Sequence, residues 1–212
     1  MRPKTNRPLL VAITGDIGSG KSTVLNFFKE KKYSIWSADE AVRELYTEQQ
    51  IMIDIQRLFD QNILINGKID MDIMRKIVFS DINNLQKLEN YLHPKIIEKL
   101  RLFVNFCLTQ CIDDVVIFEI PLLFECKLDK YFDINILITA DLNTKILRIG
   151  QRDKRKVSDI LDILNRQLPQ EKKEKKANII IENNDTVYEL KSKLVILEKT
   201  FKYMKKKAAP PM

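Results

Sequence analysis

The stretch Leu9 to Thr23 limits this chain more than any other. An apolar run of β character meets a glycine loop, and the loop passes straight into a helical pattern that ends near Glu30. Gly15, Gly20, Lys21 and Ser22 fit G-x-x-x-x-G-K-[ST], the phosphate-binding P-loop, with the strand before it and the helix after it that the motif requires. Glycines let the backbone take positive φ and approach a phosphate closely, so that successive N–H groups turn inward as an anion nest. A helix starting near Gly20 adds its positive dipole end and its unpaired N–H groups. Lys21 supplies a mobile cation for the β- and γ-phosphates, and the Ser22 hydroxyl is placed to ligate Mg²⁺. The nucleotide is therefore expected on Gly15, Asp16, Ile17, Gly18, Ser19, Gly20, Lys21, Ser22 and Thr23. The whole chain holds 5 glycines, and Gly15, Gly18 and Gly20 all fall in this loop. Against an average usage of about 7%, that concentration argues against an incidental strand–helix turn.

At 212 residues the chain can bury one sizeable α/β core with a small insertion. Hydrophobic residues at 45% and charged residues at 31% mark a globular protein. The net charge of +7 points to acidic partners: nucleotides, phosphorylated metabolites or nucleic acid. Much of the excess is local, in residues 172–176 and 202–207, runs that read as solvated helix faces or a frayed tail. Cys107, Cys111 and Cys126 offer no disulfide framework, and the first two lie one helical turn apart without metal-site partners. A reduced, cytoplasmic location is expected. No apolar run nears the roughly 20 residues of a membrane span, and the first apolar stretch is already used as a strand. Neither a membrane anchor nor a secretion signal is expected.

Along the chain, Tyr33 to Trp36 reads as a second strand. Asp39 is placed to cap a helix running from Glu40 to Phe59, with apolar positions at helical spacing. Asn66-Gly67 marks a loop or small hairpin between Asn62 and Asp70. Met71 to Phe79, Ile82 to Leu92 and Pro94 to Ile112 read as three helices, Pro94 opening the last. Further strands are expected at Val115 to Phe118, Ile134 to Ile138 and Ile179 to Ile181. Helices are expected at Leu142 to Arg152, Ser158 to Gln167, just after Pro169, and at Thr186 to Lys206. Short strands separated by helices argue for a parallel α/β sheet. The helical stretch of residues 40–112 is too long for one crossover and reads as an inserted substrate-binding lobe. The core is then about 8–39, 113–140 and 177–206, with a lid at about 141–176, all within one domain.

A P-loop alone does not separate a small-molecule kinase from a GTPase or a motor. The guanine-reading Asn-Lys-x-Asp string of GTPases is absent. Arg148, Arg152, Arg155 and Arg166 lie on one basic segment, as a closing lid needs if it is to neutralise a phosphoryl group in transit. Each arginine also fits a surface ion pair. The pattern looks like a nucleoside-monophosphate-type kinase.

In finer detail the chain resembles the dephospho-CoA kinase family. Its T-G-x-I-G-S-G-K-S-T is matched by Thr14 to Thr23, and its D-A-D-x-x-A-R by Ser37 to Arg43. L-H-P is matched by Leu92-His93-Pro94, and P-L-L-F-E without change by Pro121 to Glu125. The lid pattern R-x-x-x-R fits Arg148 and Arg152. Q-x-P with a following lysine fits Gln167, Pro169 and Lys172 or Lys173. The family's closing Ala-Asp, strand and Asn appear as Ala177-Asn178, Ile179 to Ile181 and Asn183. The resemblance runs in order over about residues 9 to 184; the P-loop is generic, whereas P-L-L-F-E together with L-H-P is specific. It implies a P-loop NTPase three-layer α/β fold and transfer of the ATP γ-phosphoryl to the ribose 3′-hydroxyl of dephospho-CoA. It also implies Asp39 as general base, Lys21 and Arg152 as catalytic residues, and Arg148 and Asn183 on the nucleotide. The acceptor falls to Asp39, Arg43, Arg75, His93, Leu123, Glu125 and Gln167. Glu119 stands where the family usually has Asp, a carboxylate that holds Mg²⁺ through water beside Ser22.

Two departures stand out: Ser37 replaces the first Asp of D-A-D, and Met71 replaces a common Arg. Both leave the phosphate cradle, Asp39 and the lid arginines intact, so an active enzyme with altered substrate affinity is expected. Another small-metabolite kinase is the alternative activity. A nucleic-acid binder is the alternative class, hinted at only by Phe201 and Tyr203 among the terminal lysines. The expected partner is a small molecule, not nucleic acid or membrane, with the chain a monomer or weak homo-oligomer.

Overall fold

The computed structural model describes residues 7–110, 113–154 and 156–208. The chain divides into two compact units, Met1–Trp36 with Cys107–Met212, and Ser37–Phe106.

The first unit is built on a five-stranded sheet. Its strands are β1 (Leu9–Thr14), β2 (Ser34–Ser37), β5 (Val115–Glu119), β6 (Ile134–Thr139) and β7 (Ile179–Glu182), in the order β2-β5-β1-β6-β7. Pairs β1–β5, β1–β6 and β6–β7 are parallel, so the carboxyl ends of the central strands open on one edge. β1 lies in the middle, and Val11, Ala12 and Ile13 are fully buried. That explains why it reads as an unbroken apolar run rather than an alternating one. The helices of this unit are α1 (Lys21–Glu30), α6 (Leu142–Asp153), α7 (Val157–Asn165), α8 (Gln170–Glu174) and α9 (Val187–Ala208). Phe28 of α1 stacks on Phe201 of α9 at 5.9 Å between centroids, inside a core with Val24, Leu190 and Leu194. Phe201 is fully buried. It is a core residue, so it cannot serve as a base-stacking surface among the terminal lysines.

The second unit holds α2 (Ala38–Leu45), α3 (Gln49–Phe59), β3 (Leu64–Ile65), β4 (Lys68–Ile69), α4 (Met71–Ser80) and α5 (Ile82–Gln110) as far as Phe106. Ile55, Ile63, Met74, Ile77, Leu88 and Leu92 form its core. β3 and β4 pair antiparallel around Asn66 and Gly67, both at positive φ, as a two-residue hairpin turn requires.

Three expectations are corrected here. The helix expected from Glu40 to Phe59 is two helices, broken at residues 46–48. The cap of α2 is Ser37, whose Oγ accepts from the Glu40 N–H, and Asp39 sits inside the first turn instead. Serine is a strong N-cap, and a cap one residue earlier starts the helix earlier. The two helices expected on either side of His93 are one helix, α5, with Pro94 in its interior. Proline removes the bond to the carbonyl of Asn90, which ordinarily breaks a helix. Asn90 and Pro94 are both exposed, so water can satisfy that carbonyl, while Leu88 and Leu92 anchor the same helix in the core.

Candidate nucleotide-binding site

β1 delivers the loop at the open edge of the sheet. Thr14, its last residue, donates from Oγ1 to the Pro121 carbonyl at 3.1 Å, tying the strand end to the turn after β5. Gly15, Gly18 and Gly20 have φ of 150°, 79° and 96°. A Cβ on Gly20 would collide with the Asn183 amide, and one on Gly15 with the Ile138 carbonyl. Asn183, the residue after β7, donates from Nδ2 to the Ser19 carbonyl at 2.8 Å and fixes the back of the loop.

The front of the loop meets the start of α1. α1 begins at Lys21 with Gly20 as a left-handed N-cap, no side-chain cap and no acidic residue in its first turn. The N–H groups of Thr23 and Val24 turn back to the Gly20 carbonyl at 3.1 and 3.3 Å, and the positive end of the helix dipole lies at the loop. The Ser19 hydroxyl is buried and has no hydrogen-bond partner among the described residues. Lys21 Nζ lies back over the loop, donating to the carbonyls of Gly15 at 2.6 Å and Asp16 at 3.0 Å. Ser22 is exposed, Thr23 half-buried.

Asp16 is the one acidic residue of the loop, and its side chain is only 11% exposed. Lys145 of α6 donates to Oδ2 at 2.5 Å and Lys173 of α8 to Oδ1 at 2.8 Å. Burial alone would raise the Asp16 pKa, but these two lysines outweigh it and hold the carboxyl below its ordinary value. Lys173 is fully buried and also pairs with Glu125 at 3.0 Å. The reading of residues 172–176 as a solvated face is thus corrected at Lys173. Sequence reasoning missed Lys145, and it reached Lys173 only as one of two candidates for the lysine after Pro169, without its tie to Asp16. The signal lay in Asp16 itself, since a buried carboxylate beside an anion site demands cationic partners.

Segment 141–174 touches the loop at more points. Arg148, one turn after Lys145, approaches the Gly18 carbonyl at 3.5 Å, and the Ile17 N–H donates to Gln167 at 3.4 Å. Arg152 is exposed and forms a bidentate pair with its neighbour Asp153 at 2.7 and 2.8 Å. Arg166 is exposed, and Arg155 lies outside the described residues. In the turn after β5, Leu123 is fully buried and Glu125 accepts from the Leu168 N–H at 2.9 Å. Glu119 is the last residue of β5, half-buried, in register with Ile13 of β1.

Asp39, Arg43, Arg75 and His93 belong to the second unit. Asp39 and Arg43 are exposed and four residues apart on α2, hence on one face. Arg75 pairs with Asp72 at 3.1 Å on α4, and His93 is half-buried on α5.

Ser22 and Glu119 offer a hydroxyl and a carboxylate, the oxygen donors a hard cation takes. No group of three or more His, Cys, Asp or Glu able to hold a metal occurs among the described residues. No described helix is long and apolar enough to cross a membrane.

The sequence profile of the dephospho-CoA kinase family matches residues 9–189. A dephospho-CoA kinase of Fusobacterium nucleatum subsp. nucleatum is 34% identical over 187 residues, covering 88% of this chain and 95% of that protein. A solved structure from Thermus thermophilus superposes with a TM-score of 0.72 at 28% identity, covering 91% of this chain and 98% of that one. The dephospho-CoA kinase of Campylobacter jejuni gives 0.66 at 25% identity, over 93% and 98%. The fold is that of a P-loop kinase, and the chain belongs to the dephospho-CoA kinase family.

Proposed function

We propose that this chain transfers the γ-phosphoryl group of ATP to the ribose 3′-hydroxyl of dephospho-CoA, releasing ADP and CoA. The observation that carries the reading is the uncapped start of α1 behind a loop of three positive-φ glycines, in a chain of this family. In this reading the loop amides and Lys21 take the β- and γ-phosphates, and Lys21 exchanges its bonds to the Gly15 and Asp16 carbonyls for phosphate oxygens. The hydroxyl oxygen bonds to γ-phosphorus as the bridge to β-phosphate breaks, and Asp39 takes the hydroxyl proton. Arg148 and Arg152 meet the charge spreading over the transferred group. Arg152 must first leave Asp153, which costs little because the pair is exposed. Ser22 and Glu119 would hold Mg²⁺, which when bound neutralises charge between the two phosphates. Arg43, Arg75, His93, Leu123, Glu125 and Gln167 are assigned to the acceptor side.

A coupled ADP-release assay offered dephospho-CoA, AMP and adenosine separately tests the acceptor. Turnover with dephospho-CoA at least tenfold faster than with the other two is expected. Equal or faster turnover with AMP or adenosine would overturn the acceptor assignment.

A further inference from the structure

A carboxylate within a polyphosphate-binding loop is electrostatically out of place, because like charges a few ångströms apart repel strongly where water is scarce. Asp16 escapes this by pointing into a charge-balanced cluster. Two buried cations, Lys145 and Lys173, meet it directly, and Glu125 takes the second valence of Lys173. Gln170 accepts from Lys145 at 3.0 Å and donates to Glu174 at 2.8 Å, closing that side with neutral contacts to Lys145. The chain around both lysines also reaches the loop. Lys145 lies three residues before Arg148, which approaches Gly18, and Lys173 lies beyond Gln167, which accepts from Ile17.

We propose that Lys145 and Lys173 are positioning residues for the nucleotide: they hold the Asp16 carboxylate turned away from the phosphate cradle and cancel its charge. Each acts through Asp16 rather than on the ligand. Lysine removal leaves an uncompensated anion beside the triphosphate, and loss of the Asp16 charge at the same time removes that repulsion. The inference rests on the reading of the loop as an ATP site, and it concerns affinity rather than the acceptor or the chemical step.

The test measures ADP and ATP dissociation constants for wild type, K173M, K145M and the double variant D16N/K173M, each on protein shown by a melting curve to be folded. At pH 8 both single variants should bind about tenfold or more weakly. D16N/K173M should return to within about threefold of wild type. Loss of one of its two lysines leaves the cost of burial less opposed, so the Asp16 carboxyl of K173M takes a proton more readily as pH falls, and the deficit, as a ratio to wild type at each pH, should shrink. The charged groups facing this carboxylate are Lys145 from α6, Lys173 from α8 and the Lys21 ammonium over its carbonyl; Glu125 faces it only across Lys173. E125Q/K173M reports on that last charge: a recovery as large as that of D16N/K173M would mean Asp16 is not the source. A wild type that does not bind nucleotide contradicts the ATP-site reading. Normal wild-type binding with an unchanged constant in K173M and K145M, or a deficit that D16N leaves intact, overturns the positioning role.

Discussion

At the scale of the residue, the phosphate loop works because its three glycines allow what no other residue would. Gly20 combines positive φ with the Asn183 amide where a Cβ would go, so the start of α1 stays open. These residues are contiguous, which is why the loop was legible in sequence. The ties to Asp16 were not: Lys145 and Lys173 stand 129 and 157 residues away along the chain, and the second hides in a run that otherwise looks like solvated surface. The proposed base makes the sharpest prediction at this scale. Asp39 is exposed in the first turn of α2 and Ser37 provides the cap, so Asp39→Asn should leave the helix intact. Binding of ATP and dephospho-CoA should stay within a few-fold, roughly, while kcat falls by about 10²–10⁴. The loose transition state of phosphoryl transfer places the loss toward the low end. Glu40 is turned about 100° away on the same helix and should not substitute. Steady-state kinetics and equilibrium binding of Asp39→Asn beside Glu40→Gln check this; an inactive Glu40→Gln with an active Asp39→Asn would move the base by one residue.

At the scale of the element, helices and strands were legible where periodicity and caps agreed. β5, β6 and β7 and the helices around them begin and end within a few residues of expectation, because apolar runs flanked by polar turns leave little choice. The failures came where a local signal competed with packing. Pro94 reads as a helix start, yet Leu88, Leu92 and Leu100 keep α5 continuous through it. In the segment of α6, α7 and α8, Lys145 and Lys173 are buried near the two ends while Arg152 and Arg166 are exposed between them. Arg152→Ala should lower kcat more than it raises KM for ATP, because the arginine acts on charge that develops in the transition state. A rise in KM with kcat unchanged would make Arg152 a ground-state contact.

For the whole molecule, the buried carboxylates set the response to acid. Asp16 is held below its ordinary pKa against the cost of burial by Lys145 and Lys173, and Glu198 likewise by Lys202 and Lys31. A depressed carboxylate adds stability that is present above its unfolded pKa and lost as pH falls through its folded one. Melting temperature should thus be nearly flat from about pH 8 to 6 and drop below about pH 4. Melting curves across that range check it; a loss of stability centred between pH 6 and 8 would mean these carboxylates do not dominate. The family and the parallel sheet around the loop were legible from short motifs in order, whereas the charge network inside the fold needed coordinates. The most direct test of the central claim is the product itself. Wild-type protein is incubated with Mg²⁺, ATP and dephospho-CoA, and the product is resolved by mass and by phosphorus NMR. One phosphate added at the ribose 3′-oxygen, in equal amount to the ADP formed, is the predicted result. ADP without a phosphorylated acceptor, or a phosphate on any other oxygen, would contradict it.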